Sequence, residues 1–185
     1  MMDRFEDSVH RFFDPIGNVA GMVCRAEAPD HVRFDNQTVF LEVWFDRHRT
    51  RELSVTIGQC ERTTEMAPFD LTDVLRAYGS PDLSQVSVLR GSTVEGIDKK
   101  IKLLAGLTEK YALELLQNNR EEFLYVTTFR RWASLKYAWE RNSPKEVIVG
   151  YRALIASPSY GRVESTFDAK DLEVLAVAKQ LSEKN

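Results

Sequence analysis
The strongest constraint on this chain lies at residues 38 to 60, TVFLEVWFDRHRTRELSVTIGQC, where apolar side chains recur at every second position on both sides of a polar turn. A period of two belongs to strands, so the segment reads as a β-hairpin rather than as a broken helix. Val39, Leu41, Val43 and Phe45 share one face and must oppose Leu53, Val55 and Ile57, because a slip of one residue sets Phe45 against Glu52. That register leaves an odd-numbered loop of three or five residues at the turn. The other face carries Phe40 and Trp44 around Glu42, a mixture expected to be half covered, for instance by a helix.

Around this hairpin the spacing of apolar residues changes twice. Phe5, Val9, Phe12, Phe13 and Ile16 predict a helix over residues 3 to 13, closed by Pro15 and Gly17. Segments 19–27 and 31–35 alternate, with Pro29-Asp30 and Asp35-Asn36 as turn signals, which gives an antiparallel meander of three to four strands. Asp70 reads as the N-cap of a helix with Leu71, Val74, Leu75 and Tyr78 on its stripe and Gly79 as its stop. Residues 83–91 alternate again and read as an edge strand.

From Ser92 onward the period is helical. Ser92 and Glu95 form a capping-box pattern ahead of Ile97, Ile101, Leu104, Thr108, Tyr111 and Leu115. Asn118-Asn119 then separates this helix from a second one over about 120–140, with Leu124, Thr128, Trp132, Leu135 and Trp139 along one side; the pair can fold back as a hairpin or continue with a bend. Ser143 and Glu146 repeat the capping box, with Pro144 at the first helical position before Val147, Ile148, Tyr151, Leu154 and Ile155. β-branched residues keep a strand alternative open for 147–155. A loop leads to a last helix over about 168–183 with Leu172, Leu175, Ala176, Lys179 and Leu181. The order is α+β: an N-terminal helix, a meander, then a mainly helical C-terminal half packed on the sheet. With 185 residues the expectation is a single domain, residues 1–91 forming its helix-plus-sheet half and 92–185 its helical half.

Composition narrows function mostly by exclusion. A net charge of -3 disfavours a protein that coats nucleic acid or an anionic membrane, although a local basic patch can sit on an acidic body. Cys24 and Cys60 fit neither a zinc ribbon nor a Cys-x-x-Cys pair and read as buried free thiols. The acidic start lacks the form of a secretory signal, and no run reaches the roughly 18 apolar residues of a membrane span, so a cytoplasmic location is expected. His10, His31 and His48 show no metal-ligand spacing; the first lies on a polar helix face, and the other two read as solvated turn residues. Glycines are scattered singly, so no phosphate loop or Gly-x-Ser-x-Gly elbow is present. The carboxylates Glu121-Glu122 and Asp70 with Asp73 sit at helix starts, where the macrodipole favours them. No catalytic residue, metal ligand or cofactor is expected, and the chain reads as non-enzymatic.

Charged surfaces remain. The hairpin turn carries Arg47, His48, Arg49 and Arg51, which keep an edge soluble and can also dock a partner. Glu61, Glu65, Asp70, Asp73 and Asp82 group in the following connection, where a basic partner would be steered. Residues 129–145 mix Arg130, Arg131, Lys136 and Arg141 with Phe129, Trp132, Tyr137 and Trp139, which is either a packed helix under solvated cations or a single-strand nucleic-acid surface. The run VFLEVWFDRHRTRELSVTIGQ followed by APFDLTDVLRAYG, within residues 35 to 80, resembles a layout of small bacterial proteins, some similar to the immunity proteins that neutralise polymorphic toxins. The resemblance implies a protein partner such as a toxin, inhibited by steric and electrostatic docking; the alternative is a nucleic-acid-binding accessory module using residues 129–145.

Overall fold
The computed structural model describes residues 2–46, 48, 50–61, 67–86 and 94–184. Helix α1 (Met2–Val19) leads into strands β1 (Val23–Ala28), β2 (His31–Asp35), β3 (Val39–Phe45), β4 (Leu53–Gln59) and the short β5 (Phe69–Asp70). Helices α2 (Leu71–Ala77), α3 (Leu83–Val86), α4 (Val94–Leu116), α5 (Arg120–Glu140), α6 (Pro144–Ile155), α7 (Tyr160–Glu164) and α8 (Ala169–Glu183) follow. The order is that of an α+β protein. Two compact units are distinguishable, Met1–Arg120 and Glu121–Asn185, so α4 groups with the sheet rather than with the helices after it.

In the first unit the strands form an antiparallel sheet in the order β1-β2-β3-β4-β5. Leu41 faces Ile57, Val43 faces Val55 and Phe45 faces Leu53, the register that the apolar alternation requires. The hydrogen bond from Asp46 N–H to the Glu52 carbonyl, 2.9 Å, closes the ladder and leaves an odd number of residues between the two strands' last pair. Val32, Phe34, Leu41, Val43, Val55 and Ile57 are buried on the inner face. Against it lie α1, next to β1 and β2, and α4, next to β3 and β4, with the two helices side by side. Phe5 stacks on Phe45 at 5.8 Å, and Phe13 meets Phe34 at 6.4 Å. Asn36 ties three elements together: its Oδ1 accepts from Thr38 and Val39 N–H, and its Nδ2 donates to the carbonyls of Ala20 and Leu116.

Several elements depart from expectation. Helix α1 does not stop at residue 13 but runs through Pro15 to Val19. Pro15 is exposed, so the helical bond it cannot donate is lost where water reaches the backbone, while Ile16 and Gly17 beyond it are buried. Asp70 precedes α2 but makes no side-chain capping bond; it pairs instead with Thr56 as part of β5. Gly79 stops that helix as expected, in the left-handed region at φ 59°, and Ser80 N–H reaches back to the Leu75 carbonyl at 2.9 Å. Residues 83–86 are the helix α3 instead of an edge strand; 87–91 and the Ser92 capping box lie outside the described residues.

The described elements of the second unit are all helices. Phe123, Val126, Trp132 and Leu135 of α5 are buried, as are Val147 and Leu154 of α6, Val163 of α7, and Val174, Leu175 and Ala178 of α8. Residues 147–155 are therefore helix, not strand: Val147 and Leu154 lie two turns apart on the buried side. Ser143 starts α6 without a side-chain cap, whereas Asp168 caps α8 by accepting from Asp171 N–H at 2.8 Å. The expected loop between α6 and α8 contains α7. Ile155 and Leu172, expected on apolar faces, are exposed. Near the start of α5 the buried Glu122 accepts two bonds from Arg162, 2.6 and 3.1 Å, and that guanidinium lies 4.0 Å over the Tyr125 ring.

Candidate functional site
Register fixes what the outer sheet face can present. The same pairing that buries Val43 and Leu41 sends Phe40, Glu42 and Trp44 of β3 outward, beside His31, Arg33 and Asp35 of β2. Arg33 organises this row. Its Nη1 donates to Glu42 at 2.9 Å, its Nε lies 3.5 Å from Asp35, and its guanidinium covers the Phe40 ring at 4.4 Å. Burial acts against the Arg33 charge, but the hydrogen bond and charge of Glu42, with Cys60 and Asp35 behind them, outweigh it and hold the group charged above its ordinary range. Phe40 is thus covered by a side chain and by the close backbone of Gly58, where an added Cβ would meet the ring at 2.5 Å. No helix is needed to cover it.

Trp44 differs from its neighbour. It remains 42% exposed, yet it is fixed from two sides. His31 stacks on it face to face at 3.7 Å and 12°, and the indole N–H donates to Glu42 at 3.3 Å. His31 is accordingly not a solvated turn residue: it opens β2, is 3% exposed, and has Nε2 3.6 Å from Glu42. The sequence signal existed, because a strand over 31–35 puts His31 on the Arg33 face, opposite Trp44 of the next strand; grouping His31 with the Pro29-Asp30 turn missed it.

The hairpin turn adjoins this end of the face. Asp46 holds it, accepting from His48 N–H at 3.1 Å and from Thr50 N–H and hydroxyl at 3.2 and 3.0 Å. Its carboxylate is therefore occupied within the turn. His48 and Arg51 are exposed, and Arg51 takes a left-handed φ of 55°; Arg47 and Arg49 lie outside the described residues. Of the expected acidic group, Glu61 and Asp70 are exposed, Asp73 is half-buried with Arg76 at 3.7 Å, and Glu65 lies outside the described residues. Asp82 is drawn into bonds from Lys110 and Tyr111 at 3.0 and 2.9 Å. Asp73 and Asp82 are thus engaged by other side chains, while Glu61 and Asp70 stay exposed.

The mixed helix is similarly committed to its own unit. Arg131 donates to Ser157 at 2.6 Å and Lys136 pairs with Asp171 at 2.7 Å. Trp132 is buried against Phe167, with ring centres 4.2 Å apart. Arg130 is half-buried, and Arg141 lies 5.4 Å over the exposed Tyr137 ring. Cations and aromatics alternate here in sequence, but they stack on one another rather than leaving a row of free rings.

Both cysteines are free thiols, and both are half-buried rather than buried. Among the described residues no group of three or more His, Cys, Asp or Glu is arranged to hold a metal ion, and no helix is long and apolar enough to cross a membrane. Comparison with protein-family models, curated proteins and solved structures finds no match to this chain.

Proposed function
We propose that this protein is a non-enzymatic interaction module that docks an acidic protein surface through the hairpin end of its outer sheet face. The observation that carries this reading is Trp44, exposed yet held rigid by His31 and Glu42. An aromatic anchor ordered before binding loses little conformational freedom on association, which is the usual property of interface hot spots. The adjoining turn, residues 47 to 51, contains three arginines and a histidine and no carboxylate, so it steers an acidic partner toward the anchor. Docking of this kind blocks the partner sterically, as the resemblance to immunity-type inhibitors implies.

A nucleic-acid reading draws less support, since Arg131, Lys136 and Trp132 are engaged inside the helical unit. The test is affinity capture from the native host with wild-type chain, Trp44→Ala and Arg51→Asn, followed by binding measurements with the captured protein. Asn is chosen because it tolerates a left-handed φ. Trp44→Ala should weaken binding by about 30-fold or more, as for a hot spot of about 2 kcal/mol. Arg51→Asn should mainly slow association and reduce its salt dependence. Equal capture by wild type and Trp44→Ala would remove the reading.

A further inference from the structure
Away from the outer face, three chemically complementary side chains meet between α1 and the edge strand β1. His10 and Asp14 lie one helical turn apart on α1, and Cys24 is the second residue of β1. The Cys24 Sγ is 3.8 Å from His10 Nε2, and His10 Nδ1 is 3.0 Å from an Asp14 carboxylate oxygen. An ionised carboxylate only accepts, so in the neutral ring the proton sits on Nδ1 and the lone pair of Nε2 faces the sulfur. The edge of the Phe34 ring, 6.3 Å away at 68°, packs beside the imidazole. Cys24 is free and half-buried, and the sheet order leaves β1 at the edge, where a small reagent can approach. Nucleophile, base and orienting acid follow the order of groups that activates a weak nucleophile in general.

We propose that Cys24 is a modification site for small-molecule disulfides, with His10 as the base that activates the thiol and Asp14 as the residue that positions His10. In the step, Nε2 accepts the thiol proton and Sγ attacks one sulfur of R–S–S–R. The S–S bond breaks, the departing R–S⁻ takes the proton from His10, and the products are the mixed disulfide Cys24–S–S–R and R–SH. The protein thiol is oxidised and the reagent disulfide reduced, so no further oxidant is involved. Burial pushes the Cys24 thiol up, and the carboxylates of Asp14 and Glu6 push it further. Such a thiol is inert unless a base stands at the sulfur.

The experiment uses the full chain with Cys60→Ser and cystamine as the probe, following the mass increase of the native protein. His10→Ala should lower the modification rate about 100-fold, within the range of general-base contributions, with helical content and Tm retained. Added imidazole should restore much of that loss, a readout that a packing role for His10 would not give. Asp14→Asn should lower the parent rate about tenfold and leave the imidazole-rescued rate of His10→Ala unchanged. The proposal is overturned if His10→Ala reacts as fast as the parent or faster, if imidazole has no effect, or if the parent thiol reacts only after denaturation.

Discussion

Trp44 and Trp132 occupy the two regions whose sequences look most alike, each an aromatic residue among cations, and they meet opposite fates. On the sheet, Trp44 is braced by His31 and Glu42 with its outer side open, and the cations of the turn lie beyond the end of its strand. In α5, Trp132 is buried against Phe167, and Lys136, one turn later, reaches over its ring at 5.6 Å to Asp171. Composition is the same kind of mixture in both places. What differs is whether a second element arrives to consume it: a helix surrounded by helices satisfies its charges internally, while the face of a sheet keeps whatever its own neighbouring strands do not use.

This contrast can be broken by substitution. The largest effect is expected for Trp132→Ala, which should cost about 3–5 kcal/mol in chemical denaturation because it empties a packed site. A loss below about 1 kcal/mol would mean that Trp132 is not core. Next comes Gly58→Ala. The added Cβ would meet the Phe40 ring at 2.5 and 2.7 Å and Pro68 at 3.2 Å, so about 1–3 kcal/mol of stability should go, measured the same way. Trp44→Ala should cost only about 1 kcal/mol, the scale of an aromatic stacking contact, while weakening partner binding by about 30-fold or more; a loss like that of Trp132 would erase the distinction between the two tryptophans.

Charge substitutions are expected to be smaller. Lys136→Met should change stability by at most about 1 kcal/mol, since the lysine is partly exposed, and should leave binding to single-stranded oligonucleotides unchanged at low salt. The least effect concerns pH. Hydrogen bonds from Lys110 and then Tyr111 hold the Asp82 carboxyl below its ordinary 3.8. A depressed folded value favours the folded chain above the unfolded value, and the contribution is lost as the pH falls through the lowered one. Asp82→Asn should therefore narrow the difference in Tm between about pH 6 and about pH 2.5, and an unchanged difference would show that these bonds do not persist in solution.

Much of the fold was legible because it depends on local periodicity. The β3–β4 register followed from the need to keep Phe45 away from Glu52, and the spans of α4 and α5 from apolar spacing and the Asn118-Asn119 break, where Asn118 takes a left-handed conformation. Helix α1 was read too short because a proline on the solvent side of a helix is tolerated when the residues beyond it have a core to enter. The site was less legible. Its charged turn and Trp44 stood out, but the bracing by His31 and Arg33 depends on a neighbouring strand, and Asp82 left the acidic group for Lys110 and Tyr111. Cys24, His10 and Asp14 were each visible, yet only helix-on-sheet packing brings them together.

The sequence by itself determined most of the inward-facing residues, where the central strands and long helices lie, and how those strands pair, because backbone geometry repeats every two residues in a strand and every 3.6 in a helix. Tertiary structure alone decided which charges are spent and which remain available, since that depends on side chains far apart along the chain arriving within about 3 to 4 Å of one another, and no local pattern encodes such meetings.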